Sequence, residues 1–365
     1  MTYPYSRELI LSNSVSIRPL VRQVSIALAV GAGALMSASA LAEEVTPVPA
    51  EKVEAVKQVE TKSSADAGTE GASLASVTVT AQKREENIQE VATAISAFGG
   101  KELVDSGVGR SANEVLSYVP NASAGTQQHG RPRWWIRGVG AGLQNVDMAS
   151  PVGFYLDEVF ISNASATGYP LFDLDRVEVL RGPQGTLWGK NTTGGAVSVV
   201  SKKPSFNESK TDDYLKLDYG SYGDKIIQGG LGAVLVDERL AGRISFHNED
   251  QDGFRRNLFK GTKDSGLTDS AIRGQLLAIL TPDIEALLNI HYRKYETDGA
   301  ITTVESYRPD RLYRGTYSAR TGFRDVDTNA DDWSDTTQNG ANLNIKWQLG
   351  KLALTSITGY EDYDN

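Results

Sequence analysis

Long strands with two unlike faces constrain this chain more than any other feature. In residues 342–349 the polar side chains Asn342, Asn344, Lys346 and Gln348 alternate with Leu343, Ile345, Trp347 and Leu349. Residues 287–295 repeat the pattern, with Asn289, His291 and Arg293 set between Leu288, Ile290 and Tyr292. Residues 214–219 and 240–247 follow it less cleanly. Successive side chains of a strand point to opposite faces, so each segment has one polar side and one apolar side. Seven such strands are predicted, over 212–220, 225–235, 239–250, 270–280, 285–296, 336–349 and 351–364.

Connection lengths decide where those faces point. Tight turns at 236–238, 281–284 and Gly350 alternate with connections at 220–224, 251–269 and 297–335. Outer-membrane barrels put short turns on the periplasmic side and long loops outside, on strands of about 10 residues with polar interiors. A soluble sandwich uses strands of about 5–6 residues and has no reason to alternate its turns. The expected architecture is therefore an antiparallel transmembrane β-barrel whose first strand runs outward.

Composition closes other routes. The chain has no cysteine, which excludes disulfides, zinc-thiolate sites and thiol catalysis. Its formal charge of -9 has the wrong sign for a nucleic-acid partner. The longest apolar run, 24–36, falls short of the ~18 residues a spanning helix needs. Arg18 and Arg22 precede that run and Ala40-Leu41-Ala42 follows it. This is the layout of a secretory signal peptide over residues 1–42. Residues 43–75, with Pro47, Pro49 and alternating Glu and Lys, offer too little apolar surface to order and read as a flexible periplasmic tether.

Between tether and barrel the pattern is mixed, an α+β domain over 83–204. Ser111 and Glu114 predict a capping box opening a helix through Tyr118, and Pro120 stops it. Short strands are expected at 133–136, 152–161, 176–180 and 196–201. Just ahead of the domain, Val77, Val79 and Ala81 alternate with Thr78 and Thr80. A β-branched extended segment at the end of a tether is suited to strand addition, in which main-chain hydrogen bonds supply affinity for a partner.

No enzyme emerges. Gly185-Thr186-Leu187-Trp188-Gly189-Lys190 has three residues between its glycines where a phosphate loop needs four, and Asn191 stands where Ser or Thr should follow the Lys. Gly138-Val139-Gly140-Ala141-Gly142 lacks the third glycine of a dinucleotide fingerprint. His129, His247 and His291 are scattered, without metal-ligand spacing. No catalytic residue, metal or cofactor is expected.

The residues themselves point to a family. Val177-Glu178-Val179-Leu180-Arg181-Gly182-Pro183-Gln184-Gly185-Thr186-Leu187-Trp188-Gly189, continued by Lys190-Asn191-Thr192-Thr193-Gly194-Gly195-Ala196, closely resembles the end of the plug domain of TonB-dependent receptors. Ile136-Arg137-Gly138-Val139 and Phe154-Tyr155-Leu156-Asp157-Glu158-Val159 resemble two further plug blocks in the right order, and 76–82 is similar to the TonB box. The resemblance covers residues 76–365. It implies a receptor for active uptake of a scarce nutrient such as a ferric siderophore, set in outer-membrane lipid. An inner-membrane TonB complex would dock on Val77, Thr78, Val79, Thr80 and Ala81.

Two sets of site residues follow. A plug inside a polar lumen should pair Arg137, Glu178 and Arg181 with charges on the barrel wall. The resemblance places ligand contacts on outward plug loops, here Gln127, Gln128, His129 and Arg131, then Gln144 and Asn145, and Tyr169 in 162–169. A plugged barrel uses about 22 strands of about 9–11 residues, whereas 161 residues follow Pro204. The chain is expected to be an N-terminal fragment or truncated frame holding about a third of a barrel (residues 205–365), unable to transport alone because open lipid-facing edges orphan backbone groups. The rival readings are a passive porin-like channel and a soluble secreted β-sandwich binding protein.

Overall fold

The computed structural model describes residues 78–364, apart from 85, 109, 129–130, 142–148, 208–210, 299–324, 327–328, 330 and 332. The side chains of 126–128 and 131 also lie outside the described set. The signal peptide, the tether and Val77 fall outside it as well.

The first half is a small α+β domain. Its elements are β1 (Thr78–Val79), β2 (Glu86–Asn87), β3 (Ile95–Gly99), α1 (Gly100–Ser106), α2 (Ala112–Ser117), β4 (Ala122–Gln128), β5 (Arg131–Ile136), β6 (Val139–Gly140), β7 (Val152–Leu156), β8 (Val159–Phe160), β9 (Leu174–Arg181), α3 (Gly185–Trp188) and β10 (Gly195–Ser201). Five strands form the central sheet in the order β3-β9-β10-β7-β8. Period-two alternation splits its side chains between two cores. Val177, Val179, Val197, Val199, Phe154 and Leu156 pack with α1, α2 and Trp134 on one face. Leu180, Ala196 and Tyr155 pack with Trp188 and Ala81 on the other. The β7–β8 hairpin turns on two residues, Asp157 and Glu158, both at positive φ (47° and 69°). Positive φ at both central positions is the geometry that matches the twist of a two-residue hairpin.

Three sequence expectations need correction here. The predicted strand 152–161 is that hairpin rather than one strand. Ser111 is the N-cap of α2 but makes no side-chain cap bond, and the Glu114 carboxylate accepts from the Arg110 amide instead. Only half of the expected box is made, displaced by one residue. Finally, 126–128 and Arg131 are not a free loop: they belong to β4 and β5, with Gln128 opposite Arg131.

The second half holds β11 (Tyr214–Tyr219), β12 (Lys225–Val236), β13 (Leu240–Gln251), β14 (Arg255–Asn257), β15 (Lys263–Asp264), β16 (Leu267–Thr281), β17 (Ile284–Thr297), β18 (Asp325–Val326), β19 (Ser334–Leu349) and β20 (Leu352–Asp364). Seven of them form one antiparallel sheet, β11-β12-β13-β16-β17-β19-β20, each strand paired with the next long one along the chain. The short β14, β15 and β18 make a separate three-stranded patch on the long connections, tied by a fork from Arg256 to Asp325.

The sheet is inside out by the standards of a soluble protein. Its buried face is polar: Arg243, Ser245 and His247 on β13; Asp269, Arg273 and Gln275 on β16; Asn289, His291 and Arg293 on β17; Gln338 and Asn342 on β19. Register sets these residues side by side, with Arg243 opposite Gln275, Ser245 opposite Arg273, and Arg273 opposite His291. Its bare face carries Leu215, Leu217, Ile227, Leu231, Ile244, Leu343, Trp347 and Leu354. A water-soluble sandwich buries its apolar face. This wall covers its polar face with the plug and leaves the apolar one open, as a lipid-facing strand must.

Candidate functional site

Two places join chemistry to architecture: the seam between plug and wall, and the seat of residues 78–81 on the plug. At the seam, Asp173 has left-handed backbone (φ 52°) and a side chain 1% exposed. It accepts a fork from Arg243, Nε at 2.8 Å and Nη2 at 2.5 Å. Arg273 comes within 3.7 Å of the same carboxylate and donates to the Phe172 and Asp173 carbonyls at 3.1 and 2.8 Å. Its guanidinium also sits 4.8 Å above the Phe172 ring. Around this pin, Phe172 stacks on His247 and Tyr169 meets His291 edge-on, at 5.7 and 5.8 Å. Two further contacts cross the seam. Asp157 accepts from Asn289 Nδ2 at 2.6 Å while also holding Ser201, and Arg110 pairs with Asp224 at 2.7 Å.

The expected ion pairs are therefore made by other residues. Glu178 is fully buried but turned toward residues 78–81, not toward the wall. Arg181 donates to the Pro120 carbonyl at 3.2 Å, within the plug. Arg137 is exposed, at φ 54°, with its guanidinium against Gly182. Among the described residues none of the three pairs with a wall strand. Strand direction explains it: Glu178 shares a β9 face with Leu180, and that face looks at Ala81 and Trp188. Tyr169 is also corrected. It is 1% exposed and wedged between Phe172 and His291, so it is closed to a ligand arriving at an outward loop. Burial pushes its phenol up to about 12. His129, Gln144 and Asn145, and the side chains of Gln127, Gln128 and Arg131, lie outside the described residues.

The second place is a latch. Thr78 pairs with Asn87 and Val79 with Glu86, so β1 is closed against the plug's own β2. One Glu178 oxygen accepts from the Thr80 amide at 2.8 Å, from the Thr80 hydroxyl at 3.1 Å and from Arg176 Nε at 2.7 Å. Trp188 Nε1 donates to the Ala81 carbonyl at 2.9 Å. Tyr155 donates to the Trp188 carbonyl and packs edge-on against its ring. Lys83 lies 3.8 Å over the same indole and 3.6 Å from Glu158. Burial lowers its pKa, opposed by the attraction of Glu158. Residues 78–81 thus rest on charge-assisted hydrogen bonds and one indole, with Val79 and Ala81 as their buried apolar side chains.

A lone carboxylate in Val177-Glu178-Val179-Leu180 was a readable sign of a buried, partnered charge. Asp173 carried a similar sign between Phe172 and Leu174. Sequence could not name either partner.

The model of the TonB-dependent receptor plug domain matches residues 87–196. The chain carries a TonB-dependent receptor plug domain. The pesticin receptor of Yersinia pestis is 33% identical over 113 residues, 31% of this chain and 16% of that one. The ferrichrome outer membrane transporter/phage receptor of Escherichia coli K12 is 30% identical over 153 residues, 41% and 19% of the two chains. Among solved structures, the ferric yersiniabactin uptake receptor of Yersinia pestis superposes with a TM-score of 0.62 at 20% identity, covering 74% of this chain and 41% of that one. The ferric-catecholate import receptor of Escherichia coli K12 gives 0.55 at 17%, covering 77% and 40%. At such identities the structures speak for the fold: a plug followed by antiparallel wall strands. In each case the chain covers less than half of its relative. TonB-dependent receptors are non-enzymatic outer-membrane proteins with a periplasm-facing plug, which assigns this chain to the outer membrane.

Proposed function

We propose that this chain is the plug-bearing part of a receptor for energised import of a scarce nutrient, with a ferric siderophore as the ligand class and TonB docking on residues 77–81. One observation carries the reading. The segment is an extended strand held to the plug by a few polar contacts, and the plug is held to the wall mainly by polar contacts. Each such bond contributes only about 0.5–3 kcal/mol net, so competing bonds from a partner can replace those of the segment one by one. A partner that offers a competing strand edge can therefore take residues 78–81 from β2 and Glu178, and traction on that segment then reaches the plug. The relatives whose names mention iron chelates support the ligand class.

The test is Val79→Pro, which removes a strand N–H and blocks ladder pairing. The purified periplasmic domain of TonB, titrated against the chain in detergent micelles, is expected to bind saturably to the unaltered protein and not to the variant. Equal binding by both retires the docking role. A passive channel makes no use of this segment and predicts no binding at all.

A further inference from the structure

Traction on residues 78–81 has to end somewhere in the plug, and this inference rests on the pulling that the proposed function requires. Followed from the N-terminal side of the plug, three of its polar contacts with the wall among the described residues are of unequal kind. Arg110–Asp224 comes first, with the arginine side chain 42% exposed, in the range where ion pairs are weak. Asp157–Asn289 is a single hydrogen bond to a neutral amide across the seam. Asp173 comes last and differs from both: two buried guanidiniums converge on one carboxylate that is 1% exposed. Its carbonyl takes two more bonds, from Arg273 and from the Lys202 amide.

The surroundings are shaped around that carboxylate. A Cβ on the facing wall residue Gly230 would lie 2.6 Å from Arg243 Nη2 and 2.7 Å from Asp173 Oδ1, so the wall has been hollowed at this register. Asp173 also stands directly before β9, which pairs along β10, and β10 runs by chain into the first wall strand. On the other side of β9 lies β3, an edge strand of five residues, and β7 pairs in parallel along the far side of β10, so both strands must be stripped before the β9–β10 hairpin stands alone.

We propose that Asp173 is the terminal load-bearing pin of the plug, so that unravelling from the docking segment stops there and leaves the β9–β10 hairpin seated against Arg243 and Arg273. Asp173 is a positioning residue in this scheme: it touches no ligand, and it fixes how much of the lumen traction can clear.

The absence of native cysteine allows two unambiguous handles, Ser76→Cys ahead of the plug and Ser356→Cys on an exposed wall position. The full chain in detergent micelles is then stretched between them by optical tweezers. Release of residues 78–172 is about 95 residues, or roughly 310–340 Å of contour at ~3.3–3.6 Å each. The expected trace pauses at that length before running on to Lys202, about 125 residues or roughly 410–450 Å. In Asp173→Asn the pause should vanish. In Arg243→Lys, which keeps the charge and loses the fork, it should shorten at least tenfold. Glu178→Ala should lower only the first rupture. A wild-type pause at another length, direct release to about 125 residues, or a pause unchanged in Arg243→Lys overturns the proposal. Because the instrument supplies the force, these outcomes are independent of whether TonB binds.

Discussion

Removing the Glu178 carboxylate should free residues 78–81 while leaving the plug sheet folded. The Thr80 amide and hydroxyl both donate to one Glu178 oxygen, at 2.8 and 3.1 Å, with the carboxylate fully buried and Thr80 half-buried. A hydrogen bond to a charged group contributes about 1.5–3 kcal/mol. In Glu178→Ala the local opening free energy at Thr80 should fall by that amount, and its amide should exchange roughly 10–150 times faster. Arg176 keeps its ion pair with Asp175, which limits the damage to the latch side of β9. Amide hydrogen exchange followed by NMR or mass spectrometry reads the effect, with Val197 in the sheet centre as the internal control. If Thr80 exchanges at its unprotected rate in the unaltered protein, or if Val197 accelerates as much as Thr80, the latch argument fails.

Three further outcomes follow from the seam. Tyr169 is buried, and its hydroxyl has no partner among the described residues, so Tyr169→Phe should raise plug stability by about 1–3 kcal/mol at neutral pH in urea melts. Its phenol pKa of about 12 lies above the unfolded value near 10, so stability from the neutral phenol is full below pH ~10 and lost as pH climbs through 12. The unaltered protein should lose more stability than Tyr169→Phe across that window, and parallel pH profiles would contradict this. Asp157→Ala removes bonds to Ser201 and Asn289 and puts alanine at φ 47°, for an expected loss of about 3–5 kcal/mol by urea titration, with Asp157→Asn losing distinctly less. Gly230→Ala drives a methyl between Arg243 and Asp173 and should cost about 1–3 kcal/mol in the same melts.

The seven long wall strands were readable from sequence to within three residues, whereas the short β14, β15 and β18 fell in stretches read as connections. Predicted strands 225–235 and 285–296 are observed at Lys225–Val236 and Ile284–Thr297. The reason is physical: each strand separates lumen from lipid, so every second residue meets a different solvent and the dyad cannot be blurred. The plug gave up less. β3, α1 and α3 escaped notice because four- to seven-residue elements carry too few periods, and Gly100 at the start of α1 reads as a breaker. In fact it is there for room, since a Cβ would run into the Leu174 carbonyl. Charge partners were the least readable, as pairing depends on which face of β9 meets which neighbour. Arg243, Arg273 and Arg293 recur on polar strand faces and announced a need for carboxylates, but the sequence alone did not show that Asp173 would serve the first two and Asp269 the third.

Polarity across the wall decides the whole account, and spin labels at single introduced cysteines measure it. Ile244 and Leu231 lie on the bare face, 56% and 61% exposed, while Ser245 and Asn289 lie on the covered one, at 0% and 1%. In lipid bilayers, labels at the first pair should relax with dissolved oxygen and ignore a water-soluble nickel chelate, and labels at the second pair should not contact lipid-borne oxygen. Nickel accessibility at Ile244 and Leu231 would mean that the apolar face meets water, and the membrane wall and its plug would both have to be given up.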